Sequence, residues 1–360
     1  MMNPSVLTSL TLTLLALIAM NDPASAQQVR ILHTQPGTSL RSVAVCGRSI
    51  MLVGGSGGVL LRSTDGGTSW NQIEVSADAK ELDYRDLEVL QNGNLVLMSA
   101  GPGERSRLFL SRDNGATWKE VYRNRLEQGF FNGMAFWPNG TGLLIGDPID
   151  GQLFLLKATV SGAMWRRIPG PKMADGEYGF AASGTGIVAT GACVATVATG
   201  AAAARVLMTD DSGETWKSVN SRVRHGNQSS GIFSVAVHPS GAAIAVGGDY
   251  MSPEADTNTY AWREGADTEW RVGSSKLPHK ACVRFLDRRR ALCSGRTGIA
   301  FSADSGRTWK QISNESFYTF VVDPKFDRIL LAGANGRIGI LKLSNLPAAA
   351  NAASPDRTGK

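Results

Sequence analysis

The sequence predicts an all-β protein: a seven-bladed β-propeller with four-stranded antiparallel blades. Three observations point there. An eight-residue turn ending in tryptophan recurs along the chain, short strand-like segments of alternating character lie between its copies, and the last unit lacks a strand that the N-terminal segment can supply.

The turn is written STDGGTSW at 63–70, SRDNGATW at 111–118, TDDSGETW at 209–216 and SADSGRTW at 302–309. Aligning on tryptophan adds two eroded copies, ATVSGAMW and REGADTEW. Trp70, Trp118, Trp165, Trp216, Trp270 and Trp309 are then 48, 47, 51, 54 and 39 residues apart. Repeats of this length in strand-rich sequence are the mark of propeller blades.

The first unit reads as strands a to d: LRSVAV, SIMLVGG, VLLRST and the segment after Trp70. The same reading restarts at Arg85, Phe131, Glu177, Gly231 and Lys280. A seventh unit (FYTFVV, RILLAG, RIGILKL) stops after three strands, and VRILHT at 29–34 is expected to close it as the fourth. Closure of that kind removes the last exposed sheet edge.

Outside the ring lie two short segments. Residues 1–26 hold an apolar run from Val6 to Met20 followed by Ala24-Ser25-Ala26, the pattern of a cleaved export signal, although no Lys or Arg precedes the run. The mature chain is expected to start at Gln27, to form one domain over 27–344, and to end in a disordered tail over 345–360; its location is expected to be periplasmic or secreted, with no transmembrane segment. Loss of Asp22 with the signal moves the formal charge from +6 to +7. The basic residues are scattered apart from Arg288-Arg289-Arg290, which argues against a nucleic-acid partner.

The turn residues read as scaffolding. In each good copy an aspartate (Asp65, Asp113, Asp211, Asp304) can accept backbone N–H bonds within its own turn, and a glycine (Gly67, Gly115, Gly213, Gly306) can take a positive φ. A tryptophan (Trp70, Trp118, Trp216, Trp309) then lays its ring against the neighbouring blade. Such aspartates are committed and are not expected to be catalytic.

A recognition site is expected on the opposite rim, where strands b to c and d to a turn over. Its candidates are Arg41, Arg85, Asp147, Glu177, Arg205, Asp249 and Tyr250, with Glu104-Arg105 and Arg296 nearby. Two readings compete for Arg41 and Arg85: pairing with Asp147, Glu177 or Asp249 across the channel, or gripping a partner's carboxylate bidentately. Cys282 and Cys293 are candidates for a cross-strand disulfide if Asp287-Arg288 form a two-residue turn. The four histidines lack metal-ligand spacing, and no glycine-rich turn opens a helix. No metal and no cofactor are therefore expected.

The turn resembles the Asp-box of the BNR repeat, found in sialidases and in many non-enzymatic propellers. A wider resemblance runs through SLRSVAV, LDYRDLEV, GPGERSRLF, FFNGMAFW, GDPIDG, GEYGFAASGTG, GIFSVAV and GGDY, in that order. This set is similar to bacterial exported proteins related to the photosystem II stability and assembly factors. That resemblance implies a non-catalytic propeller that binds another protein, here one of the envelope or a membrane. It departs at Asn132, where many relatives have an acid, and at Lys280-Ala281, where Arg-Ser is usual. A monomer is expected.

The competing class is a sialidase-type glycosidase, for which Arg41, Arg85, Arg205, Tyr250, Glu177 and Asp249 supply residue types. Against it stand the seventh unit, where sialidases have six blades, and the absence of Arg-Ile-Pro before the first turn. Arg167-Ile168-Pro169 falls on an outer strand instead.

Overall fold

A computed structural model describes residues 29–349 except 266–268. The expectations for residues 1–26 and for 350–360 lie outside the described residues. Seven antiparallel sheets stand around one axis. Their innermost strands are Leu40–Cys46, Tyr84–Val89, Phe131–Phe136, Ile187–Thr190, Ser230–Val237, Cys282–Phe285 and Phe317–Asp323, which number the blades one to seven. Blade seven is closed by the N-terminal strand Arg30–His33, antiparallel to Ile338–Lys342 with Arg30 opposite Ile340.

The core is a set of seven layers between blades. Six carry one tryptophan of the repeat: Trp118 packs between blades one and two, Trp165 between two and three, Trp216 between three and four. Trp270, Trp309 and Trp70 do the same for the next pair, the one after, and the junction of blades seven and one. The layer between blades six and seven is filled instead by Phe301, Phe317, Phe320 and Leu341, as a six-tryptophan repeat requires.

The corners have one geometry. Asp65 Oδ1 accepts the amides of Thr68 (3.0 Å) and Ser69 (2.9 Å) and the Ser63 hydroxyl (2.8 Å). Asp113, Asp211 and Asp304 accept the amide four residues on, each at 2.9 Å. These bonds hold Asp65 and Asp113 at a pKa of about 2, the hydroxyl of the residue four positions on being the largest cause, and lower Asp211 further. The corner glycine has φ of +79° at Gly115 and +85° at Gly306, and a Cβ there would meet Leu52 or Ile244 of the preceding blade at 2.3 and 2.5 Å.

Two elements differ from the sequence reading. The inner strand of blade four starts at Ile187, whereas Glu177–Tyr178 pairs with Gly200–Ala201 and extends the sheet of blade five through Gly200 opposite Gly231. The cysteine register is also shifted by one residue. Cys293 lies opposite Val283 and Cys282 opposite Ser294, because the turn closes by Leu286 N–H donating to Arg290 C=O and is longer than two residues. A one-residue shift sends the two thiols to opposite faces of the sheet. All four cysteines, 46, 193, 282 and 293, are free.

Candidate functional site: an arginine mouth over a central plug

Five of the seven inner strands carry a β-bulge at the same place, between Leu40/Ser42, Tyr84/Asp86, Phe131/Gly133, Ile232/Ser234 and Phe317/Thr319. A bulge inserts an unpaired residue and re-aims it. The extra residues are Arg41, Arg85, Asn132, Phe233 and Tyr318. Four of these five line a cavity of about 360 Å³ at the rim opposite the corners.

After three of the bulges a small polar residue ties its blade to the next. Ser42 Oγ donates to Tyr84 C=O (3.4 Å), Asp86 Oδ2 accepts Met134 N–H (2.7 Å), and Ser234 Oγ accepts Val283 N–H (2.9 Å). These three bulges thus join two blades below and present one side chain above.

The channel is closed by residues 180–186, which sequence reading placed in an inner strand. Ser183 Oγ donates to Ala281 C=O at 2.7 Å, and Thr319 Oγ1 donates to Ser183 C=O at 3.1 Å. Thr185 Oγ1 lies 2.6 Å from Ser234 Oγ, and Thr185 C=O accepts Val235 N–H. Gly184 (φ +75°) packs so closely on Asp86 that a Cβ would fall 2.2 Å from its Oδ1. This plug touches blades one, two, five, six and seven. Phe180, Ala181 and Ala182 form the floor of the mouth, and Gly184 and Thr185 form the roof of a separate cavity below.

On that floor stand three guanidinium groups. Arg41 Nη1 donates to Ala182 C=O (3.2 Å), Arg85 Nη1 to Ala181 C=O (2.7 Å), and Arg296 Nη1 to Tyr250 C=O (3.3 Å). Arg85 also pairs with Asp83 at 2.5 Å. Arg41 lies 4.1 Å above the Tyr318 ring. Burial, and then the neighbouring Arg85, lower the Arg41 pKa to about 10, which leaves it charged at neutral pH. The Nε atoms of Arg41 and Arg85 are buried without a partner among the described residues.

Facing them is an aromatic wall. Phe180 and Phe233 stack at 3.9 Å, Tyr250 meets both edge-on, and His279 sits edge-on to Phe233 at 4.5 Å. His279 is buried, and burial, then Lys280 and Arg296, push its pKa down to about 4, so it is neutral. No Asp or Glu is among the residues lining the cavity.

Of the seven rim residues singled out from sequence, Arg41, Arg85 and Tyr250 come together and the other four do not. Glu177 is taken by Arg205, with Nη2 to Oε2 at 2.5 Å and Nε to Oε1 at 2.9 Å, and by Thr199 at 2.6 Å. Burial alone would raise the Glu177 pKa; the Arg205 and Thr199 bonds outweigh it and hold it down. Asp147 accepts from Asn132 at 2.8 Å, and burial raises its pKa to about 6. Asp249 accepts from Asn227 and from Met251 N–H. Neither Arg41 nor Arg85 pairs with any of the three acids.

Sequence reasoning missed Phe180, Phe233, His279 and Tyr318. The signal was present as a repeated triplet of apolar, variable and small residues at the inner strand starts: Leu-Arg-Ser, Tyr-Arg-Asp, Phe-Asn-Gly, Ile-Phe-Ser and Phe-Tyr-Thr.

No protein-family model matches the chain, and no curated protein matches it. Solved structures do. YCF48 bound to D1 peptide aligns at TM-score 0.60 with 14% identity, over 91% of this chain and 97% of that one. YCF48 from Cyanidioschyzon merolae gives 0.64 with 12% identity, over 88% and 99%. RRP9 WD40 repeats give 0.63 with 11% identity, over 89% and 98%. At these identities the likeness establishes the fold the chain shares with them, a β-propeller.

Proposed function

We propose that this chain is an exported, non-catalytic propeller, periplasmic or secreted, that binds a carboxylate-bearing segment of a protein partner in its mouth and acts as an assembly factor. The observation that carries the reading is the convergence of Arg41, Arg85 and Arg296 on an aromatic-walled cavity whose lining contains no acid. Of the three guanidinium groups only Arg85 has an ion-pair partner among the described residues, Asp83, so the mouth keeps an excess of partly desolvated positive charge that favours an anionic ligand, and planar guanidinium groups suit a carboxylate. The wall of Phe180, Phe233 and Tyr250 offers apolar contact to the residues beside it, with Met251 exposed at the rim. A similar fold is known as YCF48 bound to D1 peptide, which supports a peptide as the ligand class. Nothing in this chain points to a photosystem, so that partner is not carried over.

Three arginines in one mouth are also what a sialidase-type glycosidase would use. That reading needs a tyrosine activated by a glutamate and an acid/base carboxylate. Glu177 is spent on Arg205 and Asp249 on Asn227, both outside the lining, so the mouth lacks both groups. The test is affinity capture from a native envelope extract followed by mass spectrometry, with wild type, Arg41→Ala and Arg85→Ala as baits. A partner held by wild type and lost by both variants supports the reading. Equal retention by all three rejects the arginine clamp.

A further inference from the structure

Beneath the plug, at the rim where the corners lie, a second cavity of about 460 Å³ opens between the inner strands. That size is within the range of small-molecule sites. Its inner end is closed by Gly184 and Thr185, which separate it from the arginine mouth.

Two of the four titratable groups at its wall are committed. Asp287 accepts the amides of Arg289 and Arg290 and the Arg290 side chain, and His238 Nδ1 is engaged with Ser240. Deeper in, Asp86 accepts two backbone amides. Two groups differ. Glu88, two residues along the strand from Asp86, has no hydrogen bond or ion pair among the described residues although it is half-buried. Arg284 spends its Nε on Phe320 C=O at 2.9 Å, and its two terminal nitrogens have no partner among the described residues. Both line the same cavity and feel each other's charge, yet they form no ion pair. Phe136, Val188 and Phe285 supply apolar wall around them.

From this arrangement we infer that the lower cavity is a second binding site, independent of the mouth, for a free α-amino acid. Its ammonium group would meet Glu88, its carboxylate the terminal nitrogens of Arg284, and its side chain the apolar wall. An opposed acid and base that share a cavity without touching are complementary to a zwitterion. A ligand carrying one charge would leave the other protein group unanswered. Burial raises the Glu88 pKa and Arg284 opposes that rise, so an ammonium ligand would restore its charged form.

The test is equilibrium dialysis of the purified full-length protein against the twenty α-amino acids, with retained ligand measured by mass spectrometry. At least one amino acid should be retained near one equivalent. On wild-type protein alone, its N-acetyl and its amide derivatives should each lose tenfold or more in affinity, since each lacks one charge. Glu88→Gln and Arg284→Met should lose a similar factor, while Arg41→Ala keeps wild-type retention. The inference is overturned if no amino acid is retained, if either blocked derivative binds as well as the parent, or if Arg41→Ala abolishes retention. Because the mouth plays no part, failure here leaves the partner-binding reading intact, and failure of that reading leaves this one intact.

Discussion

The Arg41 guanidinium lies 4.1 Å above the Tyr318 ring, so a cation of blade one is shelved on an aromatic of blade seven across the junction where the ring closes. The contact aims the group at the mouth while its Nη1 is tied to the plug. Cation–π contacts of this kind are worth on the order of 0.5–2 kcal/mol. Tyr318→Leu should therefore weaken partner binding several-fold with little change in melting temperature, measured by titrating the captured partner. Arg41→Lys should behave nearly as badly as Arg41→Ala, because an ammonium offers neither the stacking plane nor the forked donors.

Asp86 joins blades two and three, and its loss should be felt in stability. Asp86→Ala would leave the amides of Leu87 and Met134 without their acceptor and open space against Gly184. The expected cost is roughly 1–3 kcal/mol, the range for a buried donor left unsatisfied. Urea denaturation of wild type and variant measures it.

A corner glycine and a glycine of another turn give a matched comparison. Gly115 (φ +79°) and Gly151 (φ +71°) share a left-handed backbone, but a Cβ at Gly115 meets Leu52 at 2.3 Å while one at Gly151 meets nothing within 4 Å. Gly151→Ala should show only the conformational penalty, on the order of 1 kcal/mol. Gly115→Ala should add overpacking of roughly 1–3 kcal/mol. Similar melting temperatures for the two would mean that the corners do not set the blade spacing.

His279 makes stability fall on acidification. Its folded pKa, near 4, is below the ordinary value of 6.5, so its contribution is full above pH 6.5 and is lost as pH falls through 4. The loss is up to about 3 kcal/mol. His279→Phe keeps a ring against Phe233 and removes the titration. Its stability relative to wild type should rise by that order between pH 7 and pH 4, as read by chemical denaturation at each pH.

Much of the ring was legible from tryptophan spacing, because each indole fills one layer between blades and so marks one blade. The site was less legible. Alternation along an inner strand assigns faces only while the register is unbroken, and a bulge adds a residue that alternation reads as a shift. Phe233 and Tyr318 were overlooked for that reason. The plug was misread because 180–186 is small and glycine-rich, with nothing local to say that it bonds to five distant blades. The cysteine register turned on a single residue of turn length, which no pattern within either strand encodes.

The central claim is that the mouth, and not the corners, holds the partner by its carboxylate. Binding of the captured partner to wild type, to Arg41→Ala/Arg85→Ala and to a folded corner variant, Asp211→Asn, tests it most directly. The account predicts that the double variant loses at least a hundredfold in affinity while Asp211→Asn binds as wild type. Undiminished binding by the double variant, or loss of binding in a folded Asp211→Asn protein, would contradict it.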